Sequence, residues 1–243
     1  MNILSIGNSF SQDAQRYLNR IAAADGVALD TFNLCIGGCS LAKHYRNMLG
    51  DFREYILEMN GQSTNFKVSL QEALLNREWD VITLQQVSHE SINYDSYQPY
   101  LNELVEYIHR CAPKAKLAWH QTWAYEQGSQ RLKEMVGYND QRDMFLDIQE
   151  AGRKAAQAIR ADYIFPVGEV FQGLIAKGIE QLHRDTFHAS RGVGRYAIAL
   201  TWYAALTGRD VMGNSFDDFD EAVLPEQKEI AKKCVTEVMI RGK

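Results

Sequence analysis

Long apolar runs, a basic excess and paired cysteines are all missing from this 243-residue chain. No hydrophobic stretch approaches the roughly 18 residues of a membrane span, so no spanning helix is expected. Lys and Arg number 26 against 31 Asp and Glu, a formal charge of −5, so the electrostatic footprint of a nucleic-acid or membrane-surface protein is absent. Cys35, Cys39, Cys111 and Cys234 form neither a Cys-x-x-Cys pair nor a zinc pattern and read as inert buried thiols. There is no Gly-x-Gly-x-x-Gly and no phosphate loop with its Lys, which removes the fingerprints of dinucleotide and nucleotide binding. His183, Asp185 and His188 lie close together, but no second ligand cluster joins them, so no metal site is expected. The first strand begins almost at Met1, with no signal peptide ahead of it. The chain reads as cytoplasmic as numbered, or as secreted or periplasmic if a leader has been removed.

What is there is an ordinary globular composition, 46% hydrophobic and 23% charged, long enough for one well-buried core; a single domain over 1–243 is expected. Ile3, Leu4 and Ile6 are strand formers, Gly7 permits a tight bend, and a helical apolar pattern resumes at Ala14, Tyr17, Leu18 and Ile21. Residues 27–35 predict a second strand running into the small-residue turn at Gly37-Gly38. Asn60-Gly61 between short apolar runs predicts a small hairpin insertion at about 52–68, with a loop longer than the tight two-residue kind, lying over the sheet edge. Val81-Ile82-Thr83-Leu84, Lys116 to Trp119 and Asp162 to Val167 predict three more strands, with helical patterns between and after them. This alternation, without internal repeats, implies a three-layer α/β domain: a parallel sheet with helices on both faces.

In a parallel sheet the carboxyl ends of the strands share one edge, where ligands bind. Small or polar clusters fall at several of these ends: Gly7-Asn8-Ser9, Gly37-Gly38, Gln85-Gln86, and an aromatic group around Trp123. A base comes from Asp185-Thr186-Phe187-His188, just ahead of a helix. At that spacing Asp185 can accept the imidazole Nδ1–H, leaving Nε2 of His188 to take a proton from the Ser9 hydroxyl. Backbone N–H groups of Ser9 and Gly38, with a side-chain amide from Gln85 or Gln86, could face a tetrahedral oxyanion. Each piece has an ordinary alternative. Asn8, Ser9 and Ser11 are all good helix N-caps, and Ser11 is expected to keep that job. His89 and His120 read as solvated or hydrogen-bonded, and Trp119 as core. Trp123 is assigned to the pocket, and with Asn8 to substrate binding. The combination, not any one residue, favours nucleophilic catalysis.

Gly7-Asn8-Ser9-Phe10-Ser11, Gly38 and Asp185-x-x-His188, spaced over nearly the whole chain, resemble the blocks of the SGNH hydrolases, the GDSL-type esterases and lipases. The resemblance implies a flavodoxin-like sheet of five parallel strands in the order 2-1-3-4-5. It also implies Ser9 as nucleophile, His188 as base, Asp185 as its partner, Gly38 as an oxyanion donor, and no metal or organic cofactor. Two departures stand out: Asn8 replaces the family's Asp, and Leu84-Gln85-Gln86-Val87-Ser88 replaces its Gly-x-Asn-Asp block. Carbohydrate-acetylesterase branches carry a Gln in that stretch, and the Leu-Gln-Gln variant resembles a bacterial branch whose members are mostly uncharacterised. The implied activity is hydrolysis of a short-chain O-acyl ester, such as an O-acetyl group on a carbohydrate, through an acyl-enzyme on Ser9. The implied partner is a small-molecule or glycan ester. The departures also suit a catalytically inactive glycan-binding protein on the same fold. An imidazole serves as a base only when neutral, so hydrolysis carried by His188 is expected to fall on acidification; a rate profile flat down to about pH 5 would exclude this role.

Overall fold

Along the first strand, Leu4 and Ile6 turn to one face of the sheet while Ile3 and Ser5 turn to the other, and all four are fully buried. A strand covered on both faces needs helices on both sides, and that is the architecture of the computed structural model, which describes residues 1–242. The strands are β1 (Asn2–Gly7), β2 (Asp30–Cys35), β3 (Tyr55–Met59), β4 (Gln62–Val68), β5 (Val81–Leu84), β6 (Lys116–His120) and β7 (Tyr163–Phe165). The helices that position the site are α1 (Ser9–Gln15), α2 (Leu18–Ala24), α3 (Leu41–Gly50), α4 (Leu70–Leu75), α5 (Tyr100–Cys111), α6 (Gln141–Ala158), α7 (Val167–Ala176), α8 (Val193–Thr207) and α9 (Pro225–Arg241). Ile3, Val81, Ala118 and Phe165 join α1, α2, α7, α8 and α9 in one core. Leu4, Ile6, Ile82, Leu84 and Trp119 join α3, α4, α5 and α6 in the other. Helix α8 is buried nearly all round, between the sheet and α9, which explains its lack of a polar stripe.

The expectation of five parallel strands in the order 2-1-3-4-5 is corrected in strand number, because two antiparallel strands extend the β2 edge. The sheet has seven strands in the order β4-β3-β2-β1-β5-β6-β7 and is mixed. The pairs β2-β1, β1-β5, β5-β6 and β6-β7 are parallel, whereas β3 pairs antiparallel with β2, from Phe32↔Met59 to Cys35↔Ile56, and β4 pairs antiparallel with β3. The segment expected to lie over the sheet edge is therefore part of the sheet. An unpaired edge of β2 would leave a row of backbone donors and acceptors open, and the hairpin satisfies them. Its loop is the tight kind after all, with Asn60 (φ 48°) and Gly61 (φ 75°) both left-handed as a type I′ turn requires. The polar residues after the turn form an exposed edge strand, not a longer loop.

Glu58 of β3 is 5% exposed and reaches under α1, where it accepts hydrogen bonds from Asn33 Nδ2 (2.8 Å) and from Gln12 Nε2. Burial pushes its carboxyl above the usual range, against the pull of those two bonds. A carboxyl raised in the folded state contributes its stability at acid pH and loses it as pH rises through the folded value. Glu58→Gln, with the Gln12 amide free to turn, is therefore expected to melt above the wild type at about pH 8 and to lose that advantage towards about pH 4. A melting difference independent of pH would refute the assignment.

Candidate active site

Strand β1 stops where it must pass against the start of α1: a side chain on Gly7 would run into Ser11. Asn8 is the N-cap. Its Oδ1 accepts from the Phe10 backbone N–H (2.9 Å), and its own N–H donates to Ser11 Oγ (3.1 Å). Capping is thus shared by Asn8 and Ser11, and the Ser9 hydroxyl is left over. Ser9 Oγ lies 2.7 Å from His188 Nε2, and His188 Nδ1 lies 2.7 Å from Asp185 Oδ2. The Asp185–His188 turn is held locally. Asp185 Oδ1 accepts the His188 backbone N–H (2.9 Å), and Thr186 O accepts from Glu126 N–H (2.8 Å). Thr186 sits at φ 73°, which is strained for a β-branched residue and sustained by these bonds. Partial burial would raise the Asp185 carboxyl, but the hydrogen bonds from the His188 ring and backbone outweigh it and hold the group below the usual range. Asp185 is therefore a carboxylate at neutral pH, suited to fix the imidazole with Nδ1–H towards it and Nε2 towards Ser9.

Ser9 and His188 open onto a cleft of about 350 Å³ at the carboxyl ends of the strands, bounded also by Gly38, Val87, Tyr125 and Phe187. Gly38 is at φ 62°, a conformation that favours glycine, and carries its backbone into the cleft wall. Gln85 and Gln86, expected as oxyanion donors, and Trp123, expected at the substrate, are not among the residues that line the cleft. Gln85 Nε2 donates to Asn8 Oδ1 (2.7 Å). Gln86 Oε1 accepts from the Leu41 backbone N–H (3.0 Å) while its Nε2 donates to Ser96 O and Oγ (both 3.1 Å). Both residues are buried, and neither is among those that line the cleft. Trp123 is fully buried, stacked on Phe10 at 3.9 Å between ring centroids, and donates its indole N–H to Phe187 O (2.8 Å). It supports the loop beneath the cleft. Asn8 borders the cleft; its Oδ1 takes two hydrogen bonds and its Nδ2 donates to Cys39 O (3.1 Å), which holds the turn at Ser9 in place.

His183 and His120 are structural. His183 is half-buried, its ring nitrogen 3.0 Å from Ala124 O, and desolvation lowers its pKa to about 4. His120 is buried among Trp123 and Trp202, and burial lowers it to about 3. His89 borders the cleft. No group of three or more metal-ligating side chains occurs among the described residues. The four cysteines are free, and burial pushes Cys35 and Cys39 up to about 12, which leaves them as unreactive thiols.

Sequence reasoning missed Arg131, Tyr125 and Phe187 in the cleft wall, which lie in stretches without periodicity. It also missed a buried ion cluster beneath the site. Asp13, fully buried on α1 one turn after Ser9, accepts from Arg184 Nη1 (2.9 Å to each oxygen) and Arg195 Nε (2.8 Å). Arg195 continues to Asp220 (2.7 Å), which also takes Arg16 (2.5 Å).

Sheet order, layering and the Ser9–His188–Asp185 geometry make this an α/β fold similar to that of the SGNH hydrolases. A candidate SGNH hydrolase from Slackia heliotrinireducens, 25% identical, aligns over 85% of this chain and 98% of its own with a TM-score of 0.62. An acetyl-xylooligosaccharide esterase from Geobacillus shares the fold at 12% identity, over 85% of this chain and 94% of its own, with a TM-score of 0.53. The chain belongs to the DUF4886 family, described as a domain of unknown function, whose family model matches residues 2–237. The crystal structure of a DUF4886 protein from Bacteroides uniformis is 33% identical and aligns over 100% of this chain and 95% of its own with a TM-score of 0.93. No curated protein matches the chain.

Removing the carboxylate of Asp13 would leave Arg184 and Arg195 facing each other without it. Asp13→Ala is expected to destabilise the protein by about 3 kcal/mol, the low end for a buried pair because both arginines keep some solvent contact. Urea unfolding would measure this, and a loss under about 1 kcal/mol would show the cluster to be dispensable.

Proposed function

We propose that this protein is a serine esterase that cleaves a short-chain O-acyl ester through an acyl-enzyme on Ser9. The observation that carries the reading is the continuous relay of 2.7 Å contacts from Ser9 Oγ through the His188 ring to Asp185. In the proposed reaction Ser9 Oγ attacks the ester carbonyl carbon as His188 Nε2 takes its proton. Asp185 balances the imidazolium, and the backbone N–H groups of Ser9 and Gly38 face the oxyanion. The alcohol then leaves with the proton from His188. Water repeats the sequence on the acyl-enzyme and frees the acid. The modest cleft volume, about 350 Å³, favours a short acyl group over a long chain.

An O-acetylated carbohydrate is the substrate class this reading puts first. Its support is the open cleft with Tyr125 and Phe187 on its wall, together with the fold shared with an esterase named for acetyl-xylooligosaccharides. The withdrawal of both Gln85 and Gln86 from the cleft favours a second reading, a glycan-binding protein on this fold without turnover. Asn8 does not add to that second reading, because its amide is used at both ends.

Turnover of p-nitrophenyl acetate separates the two. Ser9→Ala, with its circular dichroism spectrum unchanged, is expected to lose about 1000-fold or more in rate, and a serine-directed phosphonate is expected to label Ser9 alone. Absence of both turnover and labelling across short acyl esters and acetylated sugars would overturn the esterase reading in favour of the binder.

A further inference from the structure

Arg131 stands in the wall of the same cleft as Ser9 and His188, half-buried and without a carboxylate in ion-pair reach among the described residues. Its guanidinium lies over the Phe187 ring, 3.9 Å from the centroid, and Phe187 in turn packs on the His188 ring at 3.8 Å. On its other side Nη1 meets the Met135 sulfur at 3.3 Å. The segment Arg131–Met135 is a single π-helical turn, a form that tends to occur at functional sites.

Three of the nearby acids have other partners. Glu134 takes a hydrogen bond from Gln130 (2.8 Å), Asp185 is held by His188, and Glu90 lies 3.9 Å from His89. The cleft wall contains no Asp or Glu, although the chain as a whole carries a charge of −5. A guanidinium stacked on an aromatic face keeps its N–H donors in plane and pointing away from the ring, preset for a planar anion at little cost in side-chain freedom.

We infer that Arg131 selects a substrate bearing an anionic group, a carboxylate by geometry, held in the cleft beside the ester bond that Ser9 attacks. For its catalytic arm the inference rests on the esterase reading, whereas the charge preference can be read from binding alone. The carboxylate could belong to the acyl group or to the alcohol, and the two are separable. Mono-p-nitrophenyl succinate against p-nitrophenyl butyrate places the charge on the acyl side. An O-acetyl methyl glucuronoside against the O-acetyl methyl glucoside places it on the alcohol side.

The wild type is expected to favour the charged member of at least one pair by about tenfold in kcat/KM, the scale of one charge-assisted hydrogen bond. That ratio should fall as salt rises from about 0.02 M to about 0.5 M, a test that needs no variant. Arg131→Gln should collapse the ratio towards one, and Arg131→Lys should restore part of it. If Arg131→Gln lowers both members of each pair equally, or if the wild type shows no charge preference in either pair, the inference is overturned. Should no ester be turned over, the esterase reading fails by itself. Calorimetry of Ser9→Ala with glucuronate and glucose then decides the inference: tighter binding of the acid that is lost in Ser9→Ala/Arg131→Gln upholds it, and equal binding refutes it.

Discussion

The geometry of the site depends on one buried charge. Asp13 lies on α1 one turn beyond Ser9, and its carboxylate holds Arg184, the residue immediately before Asp185. The segment bearing Ser9 and the segment bearing the Asp–His pair come from opposite ends of the chain, and this ion pair ties them directly. Arg195 extends the tie to α8, and Asp220 closes it back to α1 through Arg16. A carboxylate removed from water needs such partners, so the arrangement cannot relax by letting one arginine swing into solvent without stranding the charge. The 2.7 Å contact between Ser9 and His188 is thereby set from below, where no substrate reaches.

A second constraint sets how α1 is turned. The sheet face beneath this short helix is polar: Gln15 Nε2 donates to Ser5 Oγ (2.6 Å), Thr83 Oγ1 donates to the same oxygen (2.9 Å), and Ser11 Oγ donates to Asn33 Oδ1 (2.8 Å). Apolar packing would tolerate small rotations of a seven-residue helix, whereas directional hydrogen bonds do not. Glu58 joins this layer from the hairpin, so β3 contributes to the floor under Ser9 as well as covering the edge of β2.

What could be read from the sequence was what depends on neighbours in the chain. Strand β1, its halt at Gly7 and the Asp185–His188 pair are local, because a three-residue spacing fixes the pair's geometry almost unaided. The Asn60-Gly61 turn was legible for the same reason, but the place of its hairpin was not, since pairing with β2 depends on an edge far away in sequence. Gln85 and Gln86 show the limit from the other side. Their position at a strand end was right, yet the direction of each amide depends on Asn8 and on the Leu41 N–H and Ser96. Trp123 likewise follows Phe10, which stacks on it. Arg131 gave no periodic signal, and only the folded loop brings it over Phe187.

Asn8 carries a consequence for the electrostatics of the nucleophile. An aspartate in its place could accept from Phe10 and Gln85, but it could not donate to Cys39 O. It would also set a fixed negative charge beside the Ser9 hydroxyl. With an amide the cap beside Ser9 is neutral and can both accept from Phe10 and Gln85 and donate to Cys39 O, which no carboxylate could do.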